Sequence, residues 1–190
     1  FDERGAPSAA SGRIVAGSVL INARCAIALV PLAPADTWTV GGRVAAVTLA
    51  RDVDVSELAN GKATLESFVK LGGKSLAVNG RWMDAVWDYI RHLQTMLGED
   101  VPALAAVGRM IPGQRTGVFA EDGATIEPYV HFDTSGGPVL IRKGATIQAF
   151  TRMVGPCVVG FGSIVGVDRI SGCSIGDTCR VHGEMSASII

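Results

Sequence analysis

From Ile141 onward an apolar residue returns at every sixth position: Ile141, Ile147, Met153, Val159 and Val165. Six is a whole multiple of the strand period of two and not of the helical period of 3.6, so only extended chain keeps this row on one side. Four positions after each of the first four stands a small residue, Ala145, Thr151, Cys157 and Ser163. A tight corner between short strands leaves room for little else. The spacing predicts a β-solenoid with both rows inward. The phase slips after Val165, resumes at Ile175 and continues to Val181 and Ala187. A second self-match supports the reading, because Gly123-Ala124-Thr125-Ile126 returns as Gly144-Ala145-Thr146-Ile147, twenty-one residues on. If three hexads make a turn, the surplus of three belongs to the loop Ser135-Gly136-Gly137, and Ile126 and Phe132 extend the row upstream. About four turns result, above the minimum of roughly three at which stacked repeats bury a stable core.

Composition divides the chain in the same place. Eleven of the twelve leucines and all three tryptophans precede residue 118, after which isoleucine and valine alternate with glycine and small polar residues. Leucine favours helices and β-branched residues favour strands, so the expected fold class is α/β followed by all-β. The expected regions are 1–101 (α/β with a closing helix), 102–117 (linker, with the change of character near 108–117) and 118–190 (solenoid). In the first, Val19-Leu20-Ile21 reads as a short strand, and 37–40 and 43–49 around Gly41-Gly42 read as a hairpin. Asp54-Val55-Ser56-Glu57 has capping-box spacing at a helix start. Another helix is expected over 64–71, stopped by Gly72-Gly73, and a third over 82–97, where Trp82, Val86, Ile90, Leu93 and Leu97 form one stripe and Gly98 ends it.

The balance of 17 Lys and Arg against 18 Asp and Glu gives a net charge of -1. That leaves no field to hold a polyanion, and nucleic acid is not an expected partner. The most apolar run, 25–35, is interrupted by Pro31 and Pro34 and is too short to cross a bilayer, so no membrane association is expected. Cys25, Cys157, Cys173 and Cys179 form no C-x-x-C pair, which fits a reducing cytoplasm. The polar opening 1–12 and the apolar close Ser188-Ile189-Ile190 carry no cap, which reads as an internal piece of a longer protein.

The hexads beginning Ile141-Arg142-Lys143-Gly144, Val159-Gly160-Phe161-Gly162 and Ile175-Gly176-Asp177-Thr178 resemble the hexapeptide repeat of left-handed β-helix acyltransferases. Gly155-Pro156, Ser174-Ile175-Gly176 and Gly183-Glu184 through Ser188-Ile189 resemble the sugar nucleotidyltransferases related to the bifunctional N-acetylglucosamine-1-phosphate uridylyltransferase and glucosamine-1-phosphate acetyltransferase. The strand ending Ile21-Asn22-Ala23-Arg24 and the helix at 82–97 resemble the end of that family's nucleotidyltransferase-like domain. The resemblance implies a partial nucleotidyltransferase-like domain joined to a left-handed parallel β-helix. It also implies a transferase of sugar-nucleotide metabolism in the full-length protein, Mg2+ and acetyl-CoA as its cofactors, a sugar phosphate or nucleotide sugar as partner, and a homotrimer of side-by-side prisms. The family's glycine-rich phosphate-binding loop has no counterpart in 1–117, and its acyltransferase histidine lies downstream of residue 190. The chain itself is therefore expected to be inactive, its catalytic residues unknown. The alternative is a non-catalytic assembly or sugar-nucleotide-binding module.

Glu184, after Gly183, stands in the segment resembling the one that lines the acetyltransferase sugar pocket. A carboxylate there accepts hydrogen bonds from sugar hydroxyls or an amine. Arg169 and Arg180, read as basic residues on successive turns, are the expected contacts to the phosphate. Exposed charges in a solvated face explain all three equally simply. Asp52 and Asp54 form a D-x-D that on a strand directs two carboxylates to one side, as a magnesium site needs, against the simpler reading of Asp54 as a helix cap. His131 and His182 fall short of the three ligands of a zinc hydratase site, and no metal ligands are assigned.

Overall fold

The computed structural model describes residues 12–58, 63–107, 110–112, 116–166 and 168–190. Of the polar opening stretch only Gly12 is among them, and of the change of character near 108–117 only 110–112 and 116–117. The chain forms two compact units, Phe1–Asp84 and Ala85–Ile190.

In the first unit β2 (Val19–Ile21), β5 (Arg43–Thr48), β4 (Thr37–Val40) and β7 (Ser75–Ala77) make a four-stranded sheet in that order. The β4–β5 hairpin turns on Gly41 and Gly42, whose φ values of 58° and 80° are those a two-residue turn matched to strand twist demands. β1 (Arg13–Ile14) pairs with β6 (Val53–Asp54), and β3 (Cys25–Ile27) pairs with β8 (Gly80–Trp82), setting Cys25 opposite Trp82. Among the described residues of this unit, helix is confined to α1 (Val55–Leu58) and a 3-10 turn at Leu65–Phe68. The α/β organisation expected of 1–101, and with it the nucleotidyltransferase-like reading, thus gives way among the described residues to a mainly β unit. Propensity was the weaker force. Leu20 lies in a strand, Leu71 is fully exposed, and long-range pairing of the strands decided the structure. The capping box is present: Asp54 Oδ1 accepts from Ser56 N at 2.8 Å, and Glu57 Oε1 accepts from Asp54 N at 3.3 Å.

The second unit opens with α2 (Asp88–Val107) rather than with a helix over 82–97. Trp82 belongs to β8, and the first turn of the helix is closed by Asp88, whose Oδ2 accepts from Ala85 N at 2.8 Å. The buried stripe is Leu93, Leu97 and Val101, while Val86 and Ile90 face outward. Gly98 does not end the helix. It stands four residues before Pro102, inside α2, where the proline has no N–H to return to the Gly98 carbonyl.

Residues 118–190 form the solenoid, a prism of three parallel sheets. The first face holds β10 (Val118–Glu121), β13 (Val139–Ile141), β16 (Cys157–Val159) and β19 (Ser174–Ile175), with β9 (Met110–Pro112) antiparallel at its edge. The second holds β11 (Thr125–Ile126), β14 (Thr146–Ile147), β17 (Ile164–Gly166) and β20 (Arg180–His182). The third holds β12 (His131–Asp133), β15 (Thr151–Val154), β18 (Asp168–Ser171) and β21 (Met185–Ser186). All five residues of the hexad row from Ile141 to Val165 are fully buried, as are Ala145, Thr151, Cys157 and Ser163. Ile175 and Val181 are also inward. Ala187 is not: it is exposed, and Met185 takes the inward place.

That displacement comes from turns that shorten along the chain. Val118 pairs with Val139, twenty-one residues on, Val139 with Cys157 after eighteen, Val158 with Ser174 after sixteen, and Ile170 with Met185 after fifteen. The surplus in the first turn sits where expected, between β12 and β13. The corner from second to third face takes up most of the later loss. Ile147 to Met153 spans six positions, Val165 to Ile170 five, and Val181 to Met185 four.

Candidate functional site

The three faces have different surfaces. Leu140 points away from the interior cluster yet is fully buried, because α2 packs across β13 and β16 and covers the first face. The other two faces carry the outward side chains.

On the third face each inward residue, Phe132, Met153, Ile170 and Met185, follows an outward one. Strand register therefore stacks His131, Arg152, Arg169 and Glu184 in one column, at the rung spacing of about 4.8 Å set by parallel strands. Arg169 Nη1 lies 3.7 Å from Glu184 Oε1. Arg152 Nη2 donates to Asp133 Oδ2 at 3.1 Å, and Ser135 Oγ donates to Asp133 Oδ1 at 2.6 Å. The Ser135 hydroxyl and amide, then the Arg152 guanidinium, hold the Asp133 carboxyl down at about 2. Two guanidiniums on adjacent rungs, flanked by carboxylates and an imidazole, form a ladder that presents several N–H donors to one anion. Like charges placed side by side on neighbouring strands oppose folding, and the flanking Asp133 and Glu184 offset them.

Of the sequence-derived site residues, Arg169 and Glu184 are brought together and Arg180 is not. Arg180 lies on the second face, beside Ile164, because it stands eleven residues after Arg169, short of the fifteen that bring the chain round to the third face again at Glu184. Arg152 and Asp133 were missed, and His131 enters the sequence reading only as a histidine short of a metal-ligand set. Their sequence mark is the position just before or after Phe132 or Met153, both in the six-residue row; that Arg169 and Glu184 share their column is readable only once Ile170 and Met185 are known to be inward, in a stretch where that phase slips.

The D-x-D is engaged otherwise. Asp52 Oδ2 pairs with Arg13 Nε at 3.0 Å and its Oδ1 accepts from Ala16 N at 2.8 Å, while Asp54 caps α1. The cap reading holds, and these carboxylates do not fit a Mg2+ ion. Among the described residues no three His, Cys, Asp or Glu side chains gather into a ligand set. Cys157 is buried, and burial raises its thiol to about 11, so it packs as a small apolar group. No described helix is long and apolar enough to cross a membrane.

The chain matches no family model, and no curated protein matches it. Its possible chemistry is therefore read from the ladder.

Proposed function

We propose that the third face binds a sugar phosphate or the phosphate of a nucleotide sugar, within a protein of sugar-nucleotide metabolism whose solenoid is a left-handed hexapeptide-repeat β-helix. The observation carrying this reading is the register that stacks Arg152, Arg169 and Glu184 in one outward column. A phosphate dianion bridges the guanidiniums of Arg152 and Arg169, each able to give a pair of parallel N–H donors. Glu184, next along the column, accepts from a hydroxyl or an amine of the sugar. Arg180 contributes only as a more distant charge on the adjoining face.

The transferase activity implied by the family resemblance belongs in this proposal to the full-length protein, with acetyl-CoA and Mg2+ supplied for by residues other than Asp52 and Asp54. A cytoplasmic location and a homotrimer are part of the same reading. In it, this chain's own residues bind and orient a substrate, and they carry out no bond-making step.

Titration calorimetry with a hexosamine 1-phosphate tests the site. Arg169→Ala and Arg152→Ala should each weaken binding by about tenfold or more, and Glu184→Gln should weaken an amino sugar more than a neutral one. Affinity unchanged in all three variants would remove the third face from the proposal. The assembly-module alternative is favoured by a separate observation: the outward side chains of the two middle turns of the second face, Thr146, Gln148 and Ile164, are uncharged.

A further inference from the structure

We propose that Tyr129 and Phe150 form a base-stacking subsite beside the ladder, so that the ligand of the third face is a nucleoside diphosphate sugar and not a bare sugar phosphate. This inference rests on the sugar-phosphate reading and deepens it.

The corner between the second and third faces passes through left-handed backbone on every turn: φ is 66° at Tyr129, 65° at Phe150, 99° at Asp168 and 97° at Gly183. Glycine meets that demand without steric cost, as Gly183 does on the fourth turn, whereas a bulky side chain there is strained. Burial does not offset the strain. Tyr129 is 79 % exposed and Phe150 71 %. The two rings stack on each other, centres 5.4 Å apart and planes 8° from parallel, and are otherwise largely open to solvent. Backbone outliers of this kind cluster at ligand clamps, where a bound molecule makes use of the side chain.

The neighbouring side chains identify the molecule. Tyr129 and Phe150 each precede a ladder residue by two positions, His131 and Arg152, which register sets side by side. The separation of the ring centres is close to the rung spacing of about 4.8 Å, so the stack follows the solenoid axis beside the ladder. The outer face of Phe150 looks along the stack toward the third turn, where the chain reads Gly166-Val167-Asp168 and supplies no third ring. A planar ring laid on Phe150 takes that place. Aromatic rings alone would serve an apolar side chain as well, but the guanidiniums beside them favour a planar ring that carries anionic groups, and a nucleotide is both. Every nucleobase has a π-face, so such a platform accepts any of them. Asp168, exposed at the same corner, supplies an acceptor for an N–H on the base edge. From a base on Phe150, a diphosphate reaches the adjoining column, where Arg152 and Arg169 on successive rungs each donate to one phosphate. Arg152, Arg169 and Glu184 then follow the order of the ligand's own parts, α-phosphate, β-phosphate and sugar.

Titration calorimetry of the full chain with glucose 1-phosphate and with the diphosphate glucoses of uridine, adenosine and guanosine tests the proposal. At least one nucleotide sugar should bind about tenfold or more tightly than glucose 1-phosphate. Phe150→Ala should weaken that nucleotide sugar by about tenfold and leave glucose 1-phosphate within about twofold, whereas Arg169→Ala should weaken both. Phe150→Trp should keep the margin. Phe150→Gly removes ring and strain together, so it should lose the margin while its melting temperature stays level or rises; a ring held for packing would give a lower one. Nucleotide sugars no tighter than glucose 1-phosphate, equal losses for both kinds of ligand in Phe150→Ala, or a lower melting temperature in Phe150→Gly would each overturn the base subsite and leave the sugar-phosphate reading standing. No binding of any of the four compounds, or binding of all four unchanged in Arg169→Ala, would overturn both.

Discussion

The two units use apolar residues in opposite ways. In the solenoid, the interior is a set of rows in which each residue is buried by its counterparts one turn above and below, so Ile147, Met153 and Val159 are fully enclosed by repetition alone. In Phe1–Asp84 no row repeats. Its strands carry individual side-chain tethers, one local and two between distant residues: Trp38 Nε1 donates to Ala33 O, five residues back, at 3.2 Å, Trp82 Nε1 to Val40 O at 2.9 Å, and Thr48 Oγ1 to Ala35 O at 2.9 Å. Arg24 and Arg43 meet at Asp84, with the Arg43 guanidinium 3.8 Å from the centre of the Trp82 ring. Repetition makes position along a turn decide a side chain's environment. Tethering makes each environment singular.

The largest effect that could break this contrast is the exchange of neighbours across the solenoid wall. Ile147→Asp places an unpaired carboxylate among apolar rows and should cost about 4 kcal/mol or more, whereas Gln148→Asp, one residue on and outward, should cost under about 1 kcal/mol. Denaturant unfolding measures both, and equal losses would mean that the row does not define the interior. In the first unit the matching test is on one ring. Trp38→Ala should cost about 3–5 kcal/mol through cavity formation, and Trp38→Phe should lose roughly 1 kcal/mol through the missing N–H donor with most of the packing retained. Equal costs would make the tether irrelevant.

A smaller effect, of the opposite sign, sharpens the account of the rows. Thr151 occupies a small-residue corner position, is fully buried, and its hydroxyl has no hydrogen-bond partner. Thr151→Val keeps the shape and removes the unmatched hydroxyl, so the melting temperature should rise, by the equivalent of about 1 kcal/mol. The smallest effect lies at the surface and depends on pH. The Asp133 carboxyl, near 2 in the folded chain, is depressed relative to its ordinary value of 3.8. Its contribution is therefore fully present above about pH 4 and is lost as pH falls towards 2. Asp133→Asn should flatten that part of the acid unfolding profile and leave the neutral range little changed, as measured by circular dichroism against pH.

These differences explain what could be read from the sequence. The inward rows from Ile141 to Val165, the corner residues and the three-residue surplus near Gly136 all follow from one rule repeated, and a rule is visible in a linear string. The hairpin at Gly41-Gly42 and the box at Asp54 and Glu57 are local chemistry and were equally legible. Trp82 was not, since it shares helical spacing with Leu93 and Leu97 but pairs with Cys25, far away in the chain. Ala187 was misplaced for a third reason: beyond Val165 the rule itself changes, one residue at a time, and the columns drift. The ladder of Arg152, Arg169 and Glu184 emerges only after that drift is measured.

The shrinking turn has a consequence for how such an array could grow or be edited. A solenoid of equal turns can gain or lose one by tandem duplication or deletion, since any turn fits on any other. Here the turns form a graded set, like nested rings of falling size, each shaped to its own level. A copy of the sixteen-residue turn inserted ahead of the eighteen-residue one would leave steps of several residues at its junctions, and the chain would have to bulge there or leave strands short. The order of the turns is thus fixed by their sizes, and new surface can be added more readily at the corners, as the loop around Gly136 already does, than by extending the stack from within.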